Sequence, residues 1–283
     1  MQTDFAASIV QHAPGDMDQR EANVDFIVAR LAEEGARGSR LVVFPEMGVT
    51  SFFRHQPAGF EHYWRHGAID RDGPELARIV EAAAAADTHA VVGFAERGAE
   101  VGVVYNSAAL IGPTGIVGVT RKVHLPGLEK LYYTPVDHVD VIDSPLGRIG
   151  IAICYDAMFP EYFRALADRG VEIIVFCSST WRGGAKGGVG LEGVKRDYWG
   201  VLPMVTAIQN QAFVVACNAC GSLDMGEQAG TWERLGLSRI VAPTGEVLAA
   251  AGDRDAETIR AELTREALVS ARTSYRFLTD RRL

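Results

Sequence analysis

The chain has 283 residues, 48% of them hydrophobic, enough apolar side chain for the core of one large domain or two small ones, whether enzyme or scaffold. Its 28 lysines and arginines against 36 acids leave a net charge of −8, so no basic field gathers nucleic acid or an anionic membrane. Four cysteines in so long a chain do not make a disulfide scaffold, and the opening MQTDFAASIV lacks the basic flank and long apolar run of a signal peptide or membrane span. The expectation is a protein of the reducing cytoplasm with neither nucleic-acid nor membrane partners.

In chain order, FAASIV reads as a strand, the charged amphipathic stretch 18–34 as a helix, LVVF as a strand, 74–87 as a helix and HAVVGFAE as a strand. Such alternation favours parallel strands covered by helices. YNSAALI and IVGVTRKV follow, split by GPTG, and then VDVID and RIGIAIC around SPLG; turn chemistry between strands predicts mixed sheets. EYFRALADRG predicts a short helix ending near Gly170, VEIIVFCSST a strand, 191–209 a helix and AFVVACNA a strand. A hairpin over LSRIVAPTGEVLAA and a strand at ETIRAEL complete the pattern. No long linker divides the chain, so residues 1–283 read as one α/β domain. The segment from residue 260 to the end is read as a helix or a tail available for contacts between copies. Two packed sheets share one core while their outer faces need helices, which predicts a four-layer αββα sandwich with two mixed β-sheets; a doubly wound single sheet is the alternative.

Several motifs invite a cofactor or metal and do not support one. GVGLEG at 188–193 fits G-x-G-x-x-G but stands too far from the strand ending near Ser179 for a dinucleotide turn, and reads as a loop or the start of a helix. GGAKGG falls short of a phosphate loop. Cys217 and Cys220 form a bare C-x-x-C with no second pair to complete a zinc site, next to a strand that would bury them. The expectation is no cofactor and no metal.

The informative pattern is at three strand endings. LVVFPE puts Glu46 just beyond one apolar run, IVGVTRK puts Lys122 at another, and IGIAIC puts Cys154 at a third. Open α/β sheets bind ligands outside the carboxyl ends of their strands, so these distant positions have a place to meet. Singly, each has a plain reading: a buried small thiol, a capping carboxylate, a solvated lysine. Jointly they supply a nucleophile, an acid or base and a cation.

FPEMG at Glu46, YNSAALIGPTGIVGVTRKVHLP at Lys122 and GIAICYDAMFPE at Cys154 together resemble the motifs of the nitrilase, or carbon-nitrogen hydrolase, superfamily, and the match runs in order to GLSRIVAPTGEVLA near residue 250. The resemblance implies an αββα sandwich, a Glu-Lys-Cys triad and homodimers or larger homo-oligomers. It also singles out Glu129 in HLPGLEK as a second glutamate beside the lysine. The chemistry these groups permit is nucleophilic: Glu46 takes the thiol proton, Cys154 attacks a carbonyl carbon, and Lys122 with a backbone N–H, expected from Tyr155, stabilises the oxyanion.

The substrate wall is sketched by Tyr132, Tyr133, Tyr155 and Trp181, which border these motifs and equally suit a core, and by Arg182, either a partner for a substrate carboxylate or a solvated loop residue. Met158 stands where many amidase-like relatives have arginine, Val136 where glycine is common, and Tyr155-Asp156 where typical nitrilases have tryptophan and glutamate. The expected activity is hydrolysis of a small aliphatic amide or carboxyamide to acid and ammonia. N-carbamoyl hydrolysis, nitrile hydrolysis and a nonenzymatic interaction role are the alternatives.

Overall fold

Fifteen strands and seven α-helices are present among the described residues, which are 1–53, 58–184, 186, 191–225, 227 and 230–282 of the computed structural model, the longer of them following period-two or period-3.6 patterning. The strands are β1 (Phe5–Gln11), β2 (Ser39–Val43), β3 (His89–Arg97), β4 (Val104–Gly112), β5 (Gly115–Arg121), β6 (Val141–Ser144), β7 (Gly147–Ile153), β8 (Ile173–Ser178), β9 (Trp181–Gly184), β10 (Phe213–Asn218), β11 (Ser222–Asp224), β12 (Thr231–Arg234), β13 (Arg239–Val241), β14 (Val247–Ala250) and β15 (Glu257–Leu263). The helices are α1 (Arg20–Ala36), α2 (Phe60–His62), α3 (Pro74–Ala85), α4 (Pro160–Asp168), α5 (Glu192–Asn210), α6 (Arg265–Ser274) and α7 (Phe277–Asp280).

Two six-stranded mixed sheets form, in the orders β15-β1-β2-β3-β4-β5 and β14-β13-β10-β8-β7-β6, with a three-stranded ribbon β11-β12-β9 beside them. Side-chain alternation explains the layering. Ile9, Leu41, Val43 and Val91 of the first sheet meet Ile151, Ile153, Val175 and Val215 of the second in one apolar core between the sheets. Their neighbours point outward: Val10, Val42 and Val92 pack with Ile27 and Leu31 of α1 and Ile79 of α3, and Ile174, Phe176 and Val214 pack with Phe163 and Leu166 of α4 and Trp199 of α5. The expected αββα sandwich results, and the doubly wound single sheet is excluded by the two separate ladders.

The ribbon strands β9, β11 and β12 and the short α2 were not read from the sequence, while the elements that were read deviate mainly at their ends. α1 runs two residues later than 18–34 because Asp16 caps a preceding turn at Met17–Gln19, its side chain accepting the Met17 N–H at 2.6 Å. The hairpin over residues 239–250 forms as β13 and β14. In the final segment the strand read at ETIRAEL forms as β15, antiparallel to β1, and a helix follows as α6, which sends Leu268 into the core between the sheets. Gln211 holds α6 by donating from Nε2 to the carbonyls of Ala271 (2.7 Å) and Tyr275 (2.6 Å). Of the glycine-rich stretch, 188–190 lie outside the described residues, while Glu192 and Gly193 open α5. Cys217 packs between the sheets and Cys220 is also buried, as expected of structural thiols. No helix among the described residues is long and apolar enough to cross a membrane.

Strand direction positions the site. β1, β2 and β3 run parallel, as do β7, β8 and β10. β5 is antiparallel to β4, which is antiparallel to β3, so the carboxyl ends of β2, β3 and β5 share one edge of the first sheet. The Glu46 N–H, beyond β2, bonds the Ser178 carbonyl at the end of β8 at 3.4 Å, so the corresponding edge of the second sheet meets it.

Candidate active site

Glu46 leaves β2 through a tight turn in which Gly48 N–H bonds the Pro45 carbonyl at 3.1 Å and Met47 takes a left-handed φ of 55°. The turn lies directly on β3. A Cβ at Gly93 would fall 2.6 Å from Met47 N and 2.8 Å from Glu46 Cα, so only glycine lets the backbone come this close. The carboxylate is buried and its oxygens are satisfied: Oε1 accepts from Lys122 Nζ at 2.7 Å and Asn106 Nδ2 at 2.8 Å, and Oε2 accepts from the Ser179 N–H at 3.1 Å.

Lys122 follows β5, its N–H donated to the Asn106 carbonyl at 2.8 Å. The residue is 1% exposed and its ammonium sits between two carboxylates, reaching Glu129 Oε2 at 2.9 Å as well as Glu46. Burial opposes the charge, but Glu129, Glu46 and Cys154 together outweigh it and push the pKa well above the ordinary lysine value. Glu129 is delivered by a one-turn 3-10 helix, Gly127–Leu131, entered through a left-handed Gly127 (φ 46°).

Cys154 ends β7 and starts the 3-10 turn Cys154–Met158 with a φ of 47°. Such a conformation costs a non-glycine residue about 1–3 kcal/mol and turns the side chain out of the strand. The thiol is partly exposed, unlike the other three, and its Sγ lies 3.7 Å from Thr180 Oγ1. Thr180 is held by its N–H to Asn218 Oδ1 at 2.8 Å. Burial within the site, then the charge of Glu46, raise the thiol pKa to about 12; Lys122 opposes this and Glu129 adds to it. Burial, reinforced by two carboxylates against one cation, therefore favours the protonated thiol over the thiolate.

The thiol opens on a cavity of about 220 Å³ whose wall includes Tyr155, Met158, Trp181, Tyr198, Trp199 and Trp232. Of the predicted site residues, Glu46, Lys122, Glu129 and Cys154 converge, and Tyr155 and Trp181 line the cavity. Tyr133 and Tyr132 do not line it. The Tyr133 hydroxyl accepts the Phe53 N–H at 3.1 Å and meets Tyr63 Oη at 3.0 Å, while the Tyr132 ring packs on Phe53 at 4.1 Å. Arg182 also turns away from the cavity: its guanidinium pairs with Glu192 and, at 3.2 Å, Asp253, and donates to the Asp253 carbonyl at 2.8 Å. Sequence reasoning passed over Asn106, Thr180, Asn218 and the α5 side chains Lys195, Tyr198 and Leu202. Asn106 lies inside the quoted lysine motif and was the one with a signal. Among the described residues, no group of three or more His, Cys, Asp or Glu side chains is arranged to hold a metal ion.

The carbon-nitrogen hydrolase family model matches residues 6–273. The chain belongs to the carbon-nitrogen hydrolase family. It is a cysteine-dependent hydrolase of carbon–nitrogen bonds, in the amidase-like branch of the nitrilase superfamily. Similar curated proteins include an N-carbamoylputrescine amidase of Arabidopsis thaliana, 29% identical with 94% of this chain and 89% of that one covered. An (R)-stereoselective amidase of Pseudomonas sp. is 32% identical, with 86% and 80% covered. A carbon-nitrogen hydrolase from Helicobacter pylori G27 has the same fold (TM-score 0.83, 24% identity, 99% and 96% of the two chains covered). So does an amidase of Nesterenkonia sp. AN1 (TM-score 0.76, 20% identity, 99% and 94% covered), a variant of which carries the acetamide moiety of fluoroacetamide covalently on its active-site cysteine.

Gly93→Ala, whose methyl collides with the Glu46 turn, is expected to lower kcat about 10²-fold, the scale of a displacement near 1 Å, with the fold checked by circular dichroism. The raised thiol pKa predicts that alkylation of resting Cys154 by iodoacetamide accelerates only as pH climbs well past 9 towards about 12, and that Lys122→Met moves the inflection higher. By linkage, a folded-state value above the unfolded one means this thiol's contribution to stability is complete below pH 9 and is lost as pH rises to about 12. An alkylation inflection below pH 8 contradicts this electrostatic account.

Proposed function

We propose that this hydrolase converts a small aliphatic amide or carboxyamide to a carboxylic acid and ammonia through a thioester on Cys154. The observation carrying the reading is the Lys122 ammonium clamped between Glu46 and Glu129 beside a thiol that opens on the same cavity. Because the resting thiol is protonated, attack requires a base at the moment of reaction, and Glu46 takes that role. As sulfur bonds to the carbonyl carbon, the oxygen's negative charge is met by Lys122 and the Tyr155 backbone N–H at the start of the 3-10 turn. The protonated Glu46 then gives its proton to the leaving nitrogen. Ammonia departs, water enters and loses a proton to Glu46, and collapse of the second tetrahedral adduct returns the thiol and the acid.

The cavity supports a small neutral substrate. Its wall is largely aromatic and aliphatic, and its charged residues are Glu129, already engaged with Lys122, and Lys195, whose Nζ donates to the Trp181 carbonyl at 2.7 Å. The N-carbamoylputrescine amidases among the relatives keep N-carbamoyl compounds as a second reading. A substrate ending in an ammonium needs an acid, however, and among the described lining residues Glu129 is the one carboxylate.

A panel of short amides, N-carbamoyl compounds and nitriles tests this reading, with ammonia and acid quantified together. Equimolar acid and ammonia from amides is expected, along with a trapped acyl mass on Cys154. A folded Cys154→Ser variant should lose about 10³-fold or more in kcat, as removal of an activated nucleophile does. Carbon dioxide released with the ammonia would transfer the assignment to the carbamoyl reading, and full activity in the serine variant would remove the attacking atom.

We also propose that the protein works as a homodimer or larger homo-oligomer. Val194, Val201, Val205 and Ile208 are exposed on α5 at spacings of one helix face, an apolar stripe left open by the described residues. Light scattering should give at least twice the 30.6 kDa chain mass, and Val201→Glu should lower it; a monomer at micromolar concentration refutes this.

A further inference from the structure

The lysine and the cysteine stand on different sheets, Lys122 beyond β5 and Cys154 beyond β7, and no main-chain ladder joins those sheets. Their relative position therefore depends on contacts that cross the gap. Two residues past Lys122 comes His124, and two residues past Cys154 comes Asp156. These two side chains meet. Asp156 Oδ1 accepts the His124 backbone N–H at 2.8 Å and lies 2.8 Å from His124 Nδ1, while Oδ2 accepts the Ile153 N–H at 3.3 Å. One carboxylate thus ties the strand that carries the ammonium to the turn that carries the sulfur.

Asp156 is completely buried and is absent from the cavity wall, so it touches no reacting atom. A carboxylate is costly to bury, and this one is retained where an aliphatic side chain would pack; its three partners account for it. The imidazole is fixed on its other faces too. It stacks on Phe159 at 3.7 Å with planes 9° apart and meets the edge of Tyr162, whose hydroxyl donates to the Ile151 carbonyl in β7 at 2.5 Å. The brace also spans the turn in which Cys154 holds its left-handed backbone, a conformation that persists only where the surroundings over-determine it.

We propose that Asp156 and His124 are positioning residues that set the separation between the Cys154 thiol and the Lys122 ammonium. The proposal rests on the assignment of those two groups as nucleophile and oxyanion partner. A brace of this kind acts on the reaction step and leaves substrate binding alone. His124→Ala, at a side chain partly open to solvent, keeps the backbone N–H bond to Asp156 and removes the ring bond. It is expected to lower kcat about 10- to 100-fold with KM within about 3-fold, as for reacting groups displaced by a fraction of an ångström. His124→Asn puts a side-chain N–H back near the Nδ1 position and should recover most of kcat. Asp156→Asn, which keeps shape while losing charge and one acceptor, should fall with His124→Ala.

All variants are assayed on the best amide of the panel, with melting temperature recorded, beside Cys154→Ser and Lys122→Met. If those two controls keep activity, the assignment of nucleophile and cation fails first. If they are inactive while folded His124→Ala stays within 2-fold of the parent, or loses activity through KM alone, the brace is refuted by itself. Equal losses in the alanine and asparagine variants, tracking melting temperature, would reduce the pair to a purely structural contact and also overturn the proposal. Should Asp156→Asn not fold, the two His124 variants decide the matter.

Discussion

An ammonium held out of water between two carboxylates is the constraint to which the rest of this molecule answers. Lys122, Glu46 and Glu129 are all buried, and removing one member of such a group typically costs about 3–5 kcal/mol because a charge is left without its partner. The surroundings complete the bonding: Asn106 and the Ser179 N–H fill the remaining acceptors of Glu46. Burial first, and then the charge of Glu46 with Glu129 adding to it, raise the thiol of Cys154 beside this group, with Lys122 opposing them.

Assembling that group takes both sheets. Glu46 and Lys122 come from the first sheet and Cys154 from the second, all beyond strand ends. The hydrogen bonds from Glu46 N–H to Ser178 and from Ser179 N–H back to Glu46 stitch the edges together. The core between the sheets, built from Ile9, Val43, Val91, Ile153, Val175 and their neighbours, is the rigid body that makes sub-ångström placement available at its rim. Loops alone do not offer that.

The legible part of the sequence was the part written in strand periodicity. Glu46, Lys122 and Cys154 each follow an apolar run, so the β2, β5 and β7 ends were visible, whereas Glu129 was singled out by the family resemblance alone. Aromatic side chains carried no such address. Tyr132 and Tyr133 adjoin Glu129 in sequence, yet the 3-10 turn sends them to a cluster with Phe53 and Tyr63, and Arg182 alternates away from Trp181 on β9 into a nest of acids. The α5 contributions to the cavity were unreadable for another reason: Lys195, Tyr198 and Leu202 follow the ordinary spacing of a helix face, and only tertiary packing says which face looks into the site. Gly93 was hidden because the close approach it permits is to Glu46 and Met47, in a turn far away in the chain.

The distribution of sulfur has a consequence for chemical durability. Cys177, Cys217 and Cys220 are sealed in the interior, which leaves Cys154 as the thiol that a solute can reach. Peroxides attack thiolates, and burial pushes the Cys154 thiol up to about 12, away from that form. The reachable sulfur is thus set in surroundings that disfavour the species from which a sulfenic acid forms.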